Sequence, residues 1–163
     1  VIYRTELLAV SDDSTRVERL SAGRINFESN LETWIERDSS ILGERFAIFG
    51  RQVRTEHGKY IDLLALDSDG ALCIIELKKD RTPRDVVAQS LDYASWCAEL
   101  NAEALERIAF EAYNESLASR YRSSFSSSLP SEPGSSRRIV IVAAELDATS
   151  ARIAAYLAKY HDV

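Results

Sequence analysis

Two acidic residues stand alone inside strongly apolar runs: Asp62 in Tyr60-Ile61-Asp62-Leu63-Leu64-Ala65-Leu66, and Glu76 in Ala71-Leu72-Cys73-Ile74-Ile75-Glu76-Leu77-Lys78-Lys79. A carboxylate buried without a partner is strongly unfavourable, so each acid needs a cation or a set of donors. Side chains alternate along a strand, so Glu76 and Lys78 share one face. Pairing about the turn at 67–70 brings Asp62 towards Glu76. Two carboxylates and one ammonium then converge at the end of a greasy sheet. Hard oxygen donors of this kind suit Mg²⁺ or Mn²⁺, and the Leu77 carbonyl could add another. The acids alone fit equally well a structural ion pair of Asp62 or Glu76 with Lys78. Gln89 and Tyr93, at i, i+4 spacing, project from one helix face directly after the Glu76 strand, and this tilts the balance towards a site.

The elements that must position these groups are legible as hydrophobic pattern. Ile2 to Val10 and Arg16 to Leu20 read as short β pieces split by Ser11-Asp12-Asp13-Ser14, making 1–27 an N-terminal β extension before a domain over 28–163. Glu28 to Arg37 reads as a helix, with Phe27, Leu31, Trp34 and Ile35 as its apolar stripe and Glu28, Glu32 and Glu36 along one flank. Strands are expected over Arg45 to Val53, Tyr60 to Asp67 and Ala71 to Lys78. Asp67-Ser68-Asp69-Gly70 forms a hairpin turn between the last two. Those two strands are almost continuously apolar, as strands covered on both faces are. Thr82 as N-cap and Pro83 at the first helical position open a helix to about Leu100, with Val87, Leu91, Ala94 and Ala98 at core spacing. Asn101 caps a further helix, Ala102 to about Leu117. Ser123 to Ser136, with eight serines, two prolines and a glycine, reads as a mobile surface loop. Arg138 to Glu145 is expected as a buried strand and Thr149 to Tyr160 as a closing helix. An αβ unit of this kind would normally continue into another strand, and the chain also lacks any Met, even at position 1. Both features are expected of a piece of a longer protein.

Composition narrows the function classes. The 163 residues are 45% apolar and 28% charged, a globular balance. No apolar run is long enough to span a bilayer, and no secretory leader opens the chain as given. Twenty basic against 26 acidic residues leave a net charge of −6. This argues against a sequence-independent nucleic-acid coat and against a polybasic membrane patch. A metal site is acidic by design and is not disfavoured by that balance. Cys73 and Cys97 are too few for a disulfide framework or a four-ligand zinc site, so reduced core thiols and a cytoplasmic setting are expected.

Asp62, thirteen residues, then Glu76-Leu77-Lys78, then Gln89-x-x-x-Tyr93 resembles the PD-(D/E)XK nuclease superfamily. The fuller pattern, Arg54…Tyr60-Ile61-Asp62-Leu63-Leu64-Ala65…Ile75-Glu76-Leu77-Lys78-Lys79-Asp80-Arg81…Gln89…Tyr93, is similar to NucS/EndoMS-like and RecB-type nuclease domains. The resemblance implies an α/β, restriction-endonuclease-like fold: a mixed central sheet in an αβββαβ core flanked by helices. It implies metal binding by Asp62 and Glu76 with the Leu77 carbonyl, and a catalytic role for Lys78. Gln89 would support the site, and Tyr93 would support it or contact a phosphate. Glu32 resembles the extra acid that many members supply ahead of the sheet, though a solvent-facing helical glutamate fits its spacing as well. Ile61 stands where the family usually has proline. Arg51, Arg54, Arg81 and Arg84 lie near the motif ends and could grip phosphates, although a single surface arginine more often serves solubility. His57, beside Gly58, fits an exposed turn. The activity implied is Mg²⁺- or Mn²⁺-dependent hydrolysis of DNA, branched, mismatched or single-stranded, in repair or defence, and a homodimer would help such an enzyme reach two strands. Two other readings carry different expectations: a binding module that keeps the fold without turnover, and a structural α/β domain of a larger assembly.

Overall fold

The computed structural model describes residues 8–10, 17–19, 28–82 and 85–160. Two short strands, β1 (Leu8–Val10) and β2 (Val17–Arg19), pair antiparallel in a small sheet of their own. After α1 (Glu28–Arg37) and a 3₁₀ turn (Ser39–Leu42) come β3 (Ala47–Arg54), β4 (Tyr60–Leu66) and β5 (Leu72–Thr82). Helices α2 (Asp85–Cys97), α3 (Ala102–Tyr113) and α4 (Leu117–Phe125) follow, then β6 (Arg137–Leu146) and α5 (Ala148–Tyr160). The main sheet runs β3-β4-β5-β6, antiparallel across the first two pairs and parallel between β5 and β6. This is the mixed sheet and αβββαβ order that the sequence predicts.

The near-continuous apolar runs of β4 and β5 are explained by cover on both sides. One face carries Phe49, Ile61, Leu64, Leu66, Leu72 and Ile74 against Tyr93 and Cys97 of α2, Leu105 of α3 and Tyr121 of α4. The other packs Leu63, Ala65, Cys73, Ile75 and Leu77 against Leu31 and Ile35 of α1. Every one of these β4 and β5 side chains is withdrawn from water, and such burial stabilises by about 1.5–3 kcal/mol per large aliphatic group. Both cysteines are buried and free, their thiols pushed up to about 12 by burial, so they are inert core groups.

Several expectations need correction. β5 continues through Thr82 instead of stopping at Lys78, because it keeps pairing with β6 past a register shift between Lys78 and Arg81. Thr82 is therefore strand, and Pro83 and Arg84 lie outside the described residues. On α2 the buried side is Val86, Val87, Ser90, Tyr93 and Cys97, while Leu91 is exposed; Tyr93 and Cys97, seated over β4 and β5, set the helix phase. Trp34 is about half exposed, since α1 turns Leu31 and Ile35 inward. Helix α3 stops at Tyr113, four residues early, because Asn114 takes a left-handed C-cap and Ser116 caps α4. The serine-rich stretch begins inside α4 and is then fastened to the β4–β5 hairpin: Gly134 N–H donates to the Gly70 carbonyl and Leu72 N–H to the Ser136 carbonyl, both at 2.8 Å. β6 is half-buried, not buried, with β5 alone beside it among the described residues. The strands at 2–10 and 16–20 are described only at β1 and β2.

One irregularity matters for the site. The β3–β4 register shifts between Ile48 and Gly50, and Gln52 adopts a left-handed backbone (φ 49°). A Cβ at Gly50 would lie 2.7 Å from Val53 Cγ2, 3.0 Å from Ile108 Cγ2 and 3.2 Å from Leu64 Cβ. Glycine is what lets β3 bulge here against α3. Gly50→Ala is expected to lower unfolding stability by about 1–3 kcal/mol, measured as a lower urea midpoint at unchanged slope.

Candidate active site

The β4–β5 ladder runs from Leu66–Leu72 to Leu63–Ile75. Just beyond it, Asp62 takes over the edge: its Oδ2 accepts the Leu77 N–H at 2.8 Å, and its Oδ1 accepts from Gln52 Nε2 at 3.1 Å. Glu76 is almost fully buried, at 1% exposure. Its Oε1 accepts from Lys78 Nζ at 2.6 Å and from Gln89 Nε2 at 2.9 Å. Its Oε2 is buried, with no hydrogen-bond partner among the described residues. Gln89 Nε2 also donates to Tyr93 Oη at 2.7 Å, and that hydroxyl donates to the Tyr60 carbonyl at 2.8 Å. Since the tyrosine spends its hydrogen on a carbonyl and the carboxylate only accepts, the amide nitrogen of Gln89 must face both. The i, i+4 pair on α2 thus acts as one bracket around Glu76.

Glu32 is buried, not solvent-facing, at 5% exposure. Its carboxylate accepts from Arg51 Nε at 3.1 Å and from Gln52 Nε2 at 2.6 Å. Arg51 also donates to Glu36 at 2.8 Å, and Tyr113 closes the far side with a 2.5 Å bond to Glu36. Arg51 is therefore paired with two acids of α1, while part of its side chain still lines the groove that also holds Arg54. Gln52 stands between Glu32 and Asp62 and donates to both; among the described residues no three acidic, His or Cys side chains are grouped to hold a metal ion.

The remaining expected residues fall at different places. Tyr93 is buried with its hydroxyl committed, so it braces Gln89 instead of offering a donor to a phosphate. Arg54, at the end of β3, lines a groove with Trp96 and Leu100 at the end of α2 and Arg107 of α3. Arg81 lies on β5 in register with Glu145, its side chain outside the described residues. His57 is exposed in its turn. Gln52, Trp96 and Arg107 were not singled out by the sequence reading. The break in alternation at Gly50-Arg51-Gln52 is a bulge signal that could have drawn attention to Gln52.

Burial dominates the electrostatics. It raises the Glu76 carboxyl from an ordinary 4.5 to about 7, against the Lys78 hydrogen bond and with the help of the nearby Asp62 charge. Burial also raises Asp62, in spite of the Leu77 N–H, Lys78 and Gln52. Burial works to lower the Lys78 ammonium, but its hydrogen bond to Glu76 and the surrounding acids outweigh this and hold it above its usual value. The unpartnered Glu76 Oε2 and the hard oxygen donors of Asp62 and Glu76 fit a divalent cation. Its charge would relieve both the desolvation and the mutual repulsion of the two acids.

The sequence matches no protein-family model and no curated protein. In structure, 88% of the chain superposes on 48% of a repair endonuclease from Pyrococcus abyssi, at TM-score 0.51 and 20% identity. It superposes equally on 47% of the chain in an EndoMS–double-stranded DNA complex, at TM-score 0.50 and 20% identity. The chain shares the fold of the matching half of each of these structures. The chain spans about half the length of each of these structures. Among the described residues no helix is long and apolar enough to cross a membrane.

The raised Glu76 carboxyl gives a stability prediction. The folded state holds this proton more tightly than the unfolded chain, so stability falls as pH rises from about 4.5 to about 7. Asp62 pulls in the same direction. The cation-free protein should lose up to about 3 kcal/mol over that window. Denaturant titrations at pH 5 and 8 should show the loss, and Glu76→Gln should remove most of it.

Proposed function

We propose that the chain carries a metal-dependent endonuclease that hydrolyses DNA phosphodiester bonds. The observation that carries this reading is the convergence of Asp62, Glu76, Lys78 and Gln89 at one sheet end, with Glu76 Oε2 buried and unpartnered, in a fold shared with the matching half of those two structures. Asp62 and Glu76 would hold Mg²⁺ or Mn²⁺. A bound ion there supplies Lewis acidity and neutralises charge on the scissile phosphate.

The chain's own groups do the rest. Gln89, bracketed by Tyr93, fixes the Glu76 carboxylate so that its free oxygen has one orientation. Lys78 brings a fixed positive charge to the same carboxylate, where it can stabilise the charge that builds on the phosphate as water adds and the P–O bond breaks. Arg54 of β3, Trp96 of α2 and Arg107 of α3 offer two cations and an aromatic surface along a groove that also carries Glu111, and a DNA strand could follow it. The EndoMS structure solved with double-stranded DNA makes DNA the polymer to test first. Branched, mismatched and single-stranded DNAs are the substrates proposed.

Labelled single-stranded, flapped, mismatched and plain duplex DNAs, incubated with Mg²⁺ or Mn²⁺, provide the test. The wild type should cut at least one of them, and Asp62→Ala and Lys78→Ala should each lose about 100-fold or more, as removal of a charged transition-state contact does. DNA bound but left intact by the wild type would instead favour the non-catalytic binding module.

A further inference from the structure

Gln52 has a place in the site that neither the motif nor the reaction above assigns. It lies on β3 two residues past the register shift, in a left-handed backbone. Its single side-chain nitrogen donates to two carboxylates from different elements, Glu32 Oε1 of α1 at 2.6 Å and Asp62 Oδ1 of β4 at 3.1 Å. An amide nitrogen carries two hydrogens, so both are spent, and both acceptors are acids, which fixes the orientation of the amide. The anchor behind it is rigid: buried Glu32 is held from its other oxygen by Arg51, which is itself held by Glu36. In front of it, the second oxygen of Asp62 takes the Leu77 N–H. Asp62 is thereby clamped at one oxygen by a side chain from β3 and at the other by the backbone of β5.

We infer that Gln52 is a positioning residue: its amide holds the Asp62 carboxylate in a single orientation near Glu76 and holds Glu32 back from becoming a third ligand. This deepens the metal-site reading and rests on it. A neutral donor is what the position requires. A carboxylate there would set three acids side by side, and an apolar group would leave Asp62 with the Leu77 N–H alone.

The backbone supplies a clean test. Asparagine is readily accommodated at positive φ, so Gln52→Asn should keep the backbone and fold, melting below the wild type only by what the lost donor to buried Glu32 costs. Its amide is one methylene too short to span both acids. Loss of such an orienting partner should weaken binding of Mn²⁺, read as free Mn²⁺ by electron paramagnetic resonance, by about 10–100-fold. It should lower kcat for DNA with KM little changed. In the cation-free protein the Leu77 amide, no longer facing a fixed carboxylate, should exchange with deuterium about tenfold faster. Gln52→Gly, also at home in this backbone region, gives the same readouts should the asparagine variant fold poorly. Unchanged Mn²⁺ affinity together with unchanged Leu77 exchange overturns the inference. A wild type that binds no Mn²⁺ defeats the metal-site reading instead, and the Leu77 exchange still decides whether Gln52 clamps Asp62.

Discussion

A carboxylate almost fully withdrawn from solvent governs the middle of this protein. Glu76 sits on the central strand β5, flanked by apolar neighbours, with one oxygen committed and the other bare. A group this costly persists only where its surroundings are organised around it. Lys78 comes from the same strand two residues on, Gln89 from the next helix, and Tyr93 with the Tyr60 carbonyl locks Gln89 in turn. The phase of α2, which leaves Leu91 in solvent, follows from the same requirement that Tyr93 point inward.

A second polar network leads to Asp62. From Tyr113 of α3 through Glu36, Arg51, Glu32 and Gln52, hydrogen bonds lead without interruption to Asp62 and then to the backbone of β5. The guanidinium of Arg120 lies 3.9 Å over the Tyr113 ring and donates to the Ile48 carbonyl, tying α4 to the strand that bulges. Helices on both faces of the sheet therefore contribute to the placement of one aspartate. Such linked donors and acceptors rigidify a site more than their separate strengths imply.

The elements whose pattern is local were readable from the residues. Strand β4, the first part of β5, the 67–70 turn, the Asn101 cap and the i, i+4 pair Gln89 and Tyr93 all fall where spacing places them. What escaped depended on tertiary context. Arg51 resembles any strand-end arginine until α1 is seen to present two acids to it. Glu32 has the spacing of a surface glutamate and is buried only because Gln52 and Arg51 receive it. Gln52 itself belongs to no motif, and its reach depends on a bulge made by Gly50. The serine-rich stretch reads as loose from composition, yet hydrogen bonds to Gly70 and Leu72 fasten it.

The parallel pairing of β5 with β6 bears on the order in which the molecule assembles. Leu72 and Arg137, partners in that ladder, are roughly 65 residues apart in sequence, whereas the hairpins β3–β4 and β4–β5 close over short turns. Loop-closure entropy therefore favours early formation of the three antiparallel strands, with Asp62 and Glu76 already side by side, and leaves β6 to dock late. During that interval the open edge of β5, the strand that carries Glu76 and Lys78, faces solvent. In that order of assembly the exposure to mispairing falls on the strand that carries the chemistry.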